Sequence, residues 1–137
     1  LGWVPLSSVR LTWTPYSVAV SLEARTVTVY RGRAVVMSAP AAVGAPSTYT
    51  PKGRTYLWEL IKVANPAGAY GPYIFGLAEF SDSYTEFDGG VAQIGLHGTD
   101  QPWSIGEAVS HGCIRVNDAV IARLAGMLPL GTPVTIN

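Results

Sequence analysis

Thr26-Val27-Thr28-Val29-Tyr30 alternates polar and apolar residues without a break, and Arg31-Gly32-Arg33 turns it straight into Ala34-Val35-Val36-Met37. Strict alternation places each set of side chains on its own face of a strand, so this stretch is committed to a half-buried hairpin. Residues 17–22 alternate in the same way. The aromatic and β-branched content of residues 55–63, 73–77 and 92–96 predicts three more strands, and 133–136 a last one. Trp58 and Tyr73 are assigned to the core. Only one stretch has helical spacing: Val120, Ile121, Leu124, Ala125 and Leu128 form an apolar stripe, Asn117 or Asp118 can cap it, and Pro129 and Gly131 close it. The expected fold class is therefore mainly β, a sandwich of about six or seven strands with one C-terminal helix.

At 137 residues the chain fits one domain. The expected division is an incoming segment over residues 1–16 and a single domain over 17–137. Residues 40–51 read as a loop, and residues 79–90, acidic and aromatic, as a mobile flap. Nine basic and nine acidic residues cancel, leaving no electrostatic footprint for nucleic acid. No run approaches the ~20 apolar residues of a membrane span. The chain starts at Leu1 rather than Met, so it is expected to be a processed or trimmed product, with any signal peptide, anchor or preceding module upstream.

Cys113 is the only cysteine, in the run Ser110-His111-Gly112-Cys113-Ile114-Arg115, and the only other histidine, His97, lies sixteen residues upstream. A free thiol is only slightly ionised at neutral pH, and an imidazole that takes its proton creates a thiolate–imidazolium pair. If residues 111–115 are extended, His111, Cys113 and Arg115 share one face, with His97 arriving from an adjacent strand. Gly112 allows a tight turn, and the amides of Gly112 and Cys113 could face a developing oxyanion, each donor contributing roughly 3–4 kcal/mol. Acyl transfer through a thioester is the reaction these parts serve.

Two further readings stand beside it. His97, His111 and Cys113 could bind zinc as three ligands with an open site, although no acidic residue is evident as general base. An inactive cell-wall-binding domain would have no use for an intact nucleophile.

The string 110–115, with His97-Gly98-Thr99 upstream, resembles the signature of the L,D-transpeptidase catalytic domain family (YkuD-type). Residues 24–30, Thr50-Pro51-Lys52-Gly53 and Leu130-Gly131-Thr132-Pro133-Val134 are similar to further family segments. The resemblance implies Cys113 as nucleophile, His97 as general base and the Gly98 backbone carbonyl as the group orienting its imidazole. It implies His111, Gly112 and Cys113 around an oxyanion hole, with Ser110 and Arg115 shaping the site and holding substrate. Tyr84, Phe87 and Trp103 are candidates for the cleft floor. No metal or other cofactor is implied. The implied partners are peptidoglycan stem peptides, as tetrapeptide donor and acceptor, and carbapenems that acylate the cysteine. The implied location is extracytoplasmic, in periplasm or cell wall, and the implied product a 3→3 crosslink. Hydrolysis or attachment of a protein on the same site is the alternative outcome. Twelve residues separate His97 from Ser110, fewer than in many members, and Arg115 stands where some carry Asn.

Overall fold

A computed structural model describes residues 3–83, 86–87 and 90–137. The strands in chain order are β1 (Tyr16–Ser21), β2 (Thr26–Arg31), β3 (Ala34–Pro40), β4 (Val43–Gly44), β5 (Gly53–Lys62), β6 (Tyr73–Phe80), β7 (Glu86–Phe87), β8 (Gly90–Val91), β9 (Gln93–His97), β10 (Ala108–Ser110) and β11 (Ile114–Arg115). The helix α1 (Asp118–Met127) and the final strand β12 (Pro133–Ile136) follow. The fold is mainly β with one helix, as expected. Short strands raise the count among the described residues to twelve, eight of them in one curled sheet ordered β11-β9-β6-β5-β12-β1-β2-β3.

The curl turns on β5. Its first half, Gly53–Tyr56, pairs with β12, and its second half, Leu57–Lys62, pairs with β6 across a register shift between Leu57 and Glu59. A strand that changes sheets at a bulge makes a corner, and the two halves fold over a shared core. Val18, Val20, Val27, Val29, Val134 and Ile136 come from one half. Leu57, Phe75, Leu77, Ile94, Leu96 and Ile114 come from the other, and Ile121 and Leu124 of α1 close the end. Each fully buried side chain of this size contributes roughly 1.5–3 kcal/mol, so alternation alone specifies much of the stability.

Asn117 caps α1 by accepting the Ala119 N–H at 3.1 Å, and the helix packs on β6 and β9. Three expectations need correction. Residues 40–51 are not simply a loop: β4 pairs in parallel with β10, and residues 46–48 form a 3-10 turn. Trp58 is 59% exposed rather than core, because β5 alternates there: Thr55 and Leu57 face the core, and Trp58 lies beside Tyr56 on the outer face. Tyr73 is half-buried against the core. The expected flap begins inside β6, and two of its residues, 86 and 87, pair with 91 and 90. Among the described residues no helix is long and apolar enough to cross a membrane.

Candidate active site

Strands β9 and β11 run parallel with Leu96 opposite Ile114 and His97 opposite Arg115. Alternation then sorts their side chains. Ile94, Leu96 and Ile114 enter the core, while Gly95, His97, Cys113 and Arg115 take the other face. Gly95 supplies the room. A methyl there would lie 3.6 Å from His97 Cδ2 and 3.7 Å from Cys113 Sγ, so thiol and imidazole flank the same bare backbone. The Gly95 N–H donates to Cys113 Sγ at 3.4 Å.

His97 is 3% exposed, and its Nδ1 donates to the Gly98 carbonyl at 2.5 Å. That bond assigns the proton to Nδ1 and leaves the Nε2 lone pair as the basic position. The Tyr70 ring meets the imidazole edge-on with centroids 5.0 Å apart. Behind Gly98 the backbone is locked. Gly71 adopts φ +61°, and a methyl on it would lie 2.7 Å from Gly98 Cα, so two glycine backbones cross with no space for a side chain. Asp118 accepts the Thr99 N–H at 2.8 Å and pins the strand exit that carries Gly98.

Burial dominates the electrostatics. It lowers the His97 pKa to about 4, helped by the Arg115 charge and opposed by the Gly98 carbonyl and Asp118. Burial also raises the Cys113 pKa, against the Gly95 N–H and Arg115. Both shifts favour the uncharged forms, a thiol beside a neutral imidazole. The base is ready, and the proton moves only when a reaction draws it.

Residues 111–113 are not extended. Gly112 sits at φ +114°, and the turn, not strand alternation, brings His111 and Cys113 to one cavity of about 110 Å³ with Arg115 and Tyr70. Ser110 builds that turn. It is 1% exposed, donates its hydroxyl to the Cys113 carbonyl at 2.5 Å and accepts the Gly112 N–H at 3.2 Å. Ser110 thus positions the turn that carries Cys113, and its hydroxyl holds the Gly112 amide. Thr50 donates to the Gly112 carbonyl and Thr48 to the Ser110 carbonyl, both at 2.8 Å.

Arg115 does reach the cavity, braced by the Gln101 side-chain carbonyl at 3.2 Å. Trp103 does not. It lies 71% exposed in the 3-10 turn of residues 102–104, outside the cavities lined by Cys113, because that turn projects its indole to solvent. Tyr84 and the side chain of Phe87 lie outside the described residues. Among the described residues no three His, Cys, Asp or Glu side chains converge as metal ligands.

Sequence reasoning missed Tyr70, Thr48, Gln101 and the pinning role of Asp118. Thr50 lay in the quoted Thr-Pro segment and Asp118 at the helix start, so both had a signal. Tyr70 had none.

A thiol beside an imidazole that a backbone carbonyl holds in one tautomer, at the edge of a curled β sheet, defines a site of the cysteine–histidine class. The sequence pattern of the L,D-transpeptidase catalytic domain matches residues 15–136, and the chain belongs to that family. YkuD of Bacillus subtilis, itself provisionally named an L,D-transpeptidase, is 39% identical over 123 residues, 90% of this chain and 66% of the relative. The chain thus spans just under two-thirds of that protein's length. The catalytic domain of the Enterococcus faecium L,D-transpeptidase, solved by NMR, is 26% identical with a TM-score of 0.66 and covers 88% of this chain and 95% of that one. The L,D-transpeptidase LdtMt1 in complex with imipenem shares the fold at 21% identity and a TM-score of 0.68, covering 90% of this chain and 59% of that one.

Proposed function

We propose that this domain is a cysteine acyltransferase of peptidoglycan stem peptides. Cys113 Sγ attacks the carbonyl of the third residue, a diamino acid, in a tetrapeptide donor. His97 Nε2 takes the thiol proton as the C–S bond forms and delivers it to the departing D-Ala nitrogen when the C–N bond breaks. A thioester remains. The side-chain amine of a second stem then attacks it, its proton passes through His97 to the cysteine sulfur, and a 3→3 crosslink leaves. The Cys113 N–H and His111 at the cavity rim face the developing oxyanion, and Arg115 holds a substrate carboxylate.

The observation that carries this reading is the Nδ1–Gly98 carbonyl bond, which leaves Nε2 basic on the face shared with Cys113. A base that stays neutral down to about pH 4 suits a concerted proton transfer. Such a substrate would place the domain outside the cytoplasmic membrane, in periplasm or cell wall.

Incubation with muropeptides followed by mass spectrometry tests the proposal. A dimer lighter than two tetrapeptides by one D-Ala is expected, with none from Cys113→Ala. A tripeptide alone would mean that water is the acceptor, and a protein adduct would mean attachment. A carbapenem should add one covalent mass to wild type and none to Cys113→Ala. An unmodified wild type in both assays would sink the thioester mechanism.

A further inference from the structure

The bulge in β5 decides where one carboxylate goes. Leu57 pairs with Leu77, both fully buried on the core face. With unbroken alternation Glu59 would follow Leu57 into that core. The extra residue, Trp58, shifts the register by one, and Glu59 instead pairs with Gly76 on the opposite face. Bulges commonly re-aim a side chain next to a functional site.

That face is the face of the thiol. Gly76 pairs with Gly95, so the two bare backbones lie side by side. A methyl on Gly76 would lie 2.7 Å from Glu59 Oε1 and 2.8 Å from its Cγ, as a methyl on Gly95 would touch Cys113 Sγ. The Glu59 carboxylate therefore lies across Gly76 while the thiol lies across Gly95. Both line one cavity of about 180 Å³, with Tyr70 and Ile61 on its walls. Among the described residues no cation pairs with Glu59.

Facing positions on adjacent strands are about 5 Å apart, so thiol and carboxylate are separated by roughly 5–10 Å along this trough. An extended diamino acid carries its distal ammonium about 7 Å from its own carbonyl carbon, by ordinary bond lengths. With the carbonyl at Cys113, the side chain runs over the bare backbones of Gly95 and Gly76, flanked by Ile74 and Gln93, and ends at the carboxylate.

We propose that Glu59 is a specificity-determining residue that binds the side-chain ammonium of the donor's third residue, so that the trough selects a peptide with a distal amine at the attacked position. This rests on the acyl-transfer reading of Cys113 and sharpens its substrate class. A neutral or acetylated side chain would leave the carboxylate unpaired and would lose a charge-assisted hydrogen bond.

The test compares two synthetic tetrapeptide donors, one with a free side-chain amine and one with that amine acetylated. D-Ala release reports kcat/KM, and intact mass after carbapenem treatment reports the thiol independently. Wild type should prefer the free amine by about tenfold or more. Glu59→Gln, nearly isosteric on a partly exposed strand, should level the two donors while carbapenem adduct formation changes by less than about twofold. An undiminished preference in Glu59→Gln, or no preference in wild type, would overturn the assignment while leaving the acyl-enzyme intact. Failure of wild type with both donors and with the carbapenem would remove the acyl-transfer reading, and this assignment with it.

Discussion

The two halves of the curled sheet obey different rules. In the half built from β1, β2, β3 and β12, β1 and β2 pair through six consecutive residues without a register shift, their inward valines are buried, and one shift falls between Val29 and Tyr30 against β3. In the half built from β5, β6, β9 and β11, the register shifts twice, between Leu57 and Glu59 and between Gly76 and Phe80. Glycine replaces side chains on its outer face at Gly76 and Gly95, and positive φ angles occur beside it at Gly71 and Gly112. The first half spends its sequence on burial. The second shifts register more often and gives up side chains on its outer face, which leaves room for a thiol and an imidazole.

Substitutions in each half should therefore fail differently. The largest effect is expected from Cys113→Ala, which should lower peptide acylation by at least about a thousandfold, read as D-Ala release, while thermal stability moves by no more than about 1 kcal/mol. His97→Gln should follow at about 10²–10⁴-fold. An equally stable and equally active His97→Gln would mean that the two halves do not divide labour in this way.

His97 also makes the comparison visible in pH. Its folded pKa of about 4 lies below the usual 6.5, so the unfolded chain binds more protons between those values. The neutral, buried ring is fully compatible with folding above about pH 6.5, and stability falls as pH drops from there toward 4. The loss attributable to this one group is about 3 kcal/mol. Denaturant titrations at pH 7 and pH 4 should show it in wild type and lack it in His97→Gln. The acid limb of acylation should likewise fall near pH 4 rather than near 6.5.

Two milder changes sharpen the contrast. Val29→Ala, in the first half and fully buried, should cost about 2 kcal/mol by denaturant titration and leave kcat per folded molecule unchanged. Thr50→Val, which deletes the bond to the Gly112 carbonyl, should cost about 1–2 kcal/mol and also slow acylation about tenfold, because the turn carrying Cys113 loosens. The smallest effect is expected from Trp103→Ala, less than about twofold in either readout, since the indole stands in solvent away from the thiol cavities. A large loss there would bring Trp103 back into the site.

Much of this was legible in the chain. Residues 26–30 declared a hairpin because period-two alternation has one structural solution, and Asn117 declared a helix start because its side chain can satisfy an amide the helix leaves open. The candidate nucleophile and base were legible because a chain with one cysteine and two histidines offers few ways to assemble that chemistry.

Other features follow from contacts between residues far apart in sequence, and no local pattern encodes them. Residues 40–51 read as a loop because their hydrogen bonds go to residues 107–115, across a gap that periodicity does not span. Ser110 read either as a site residue or as a local hydrogen-bond partner, and its bonds to the Cys113 carbonyl and the Gly112 amide come from the turn, which periodicity does not encode. Trp58 read as core from its aromatic ring, although it alternates with the buried Thr55 and Leu57, and the bulge that follows, which alternation has no means of announcing, moved Glu59 to the face of the thiol.

The sequence by itself determined the longer strands and the helix, since these depend on neighbours within a few residues, and it named the candidate pair, since it holds one cysteine and two histidines. Only the tertiary structure decided how deeply that pair is buried and which carboxylate shares its face, because desolvation and register are set by whatever packs alongside.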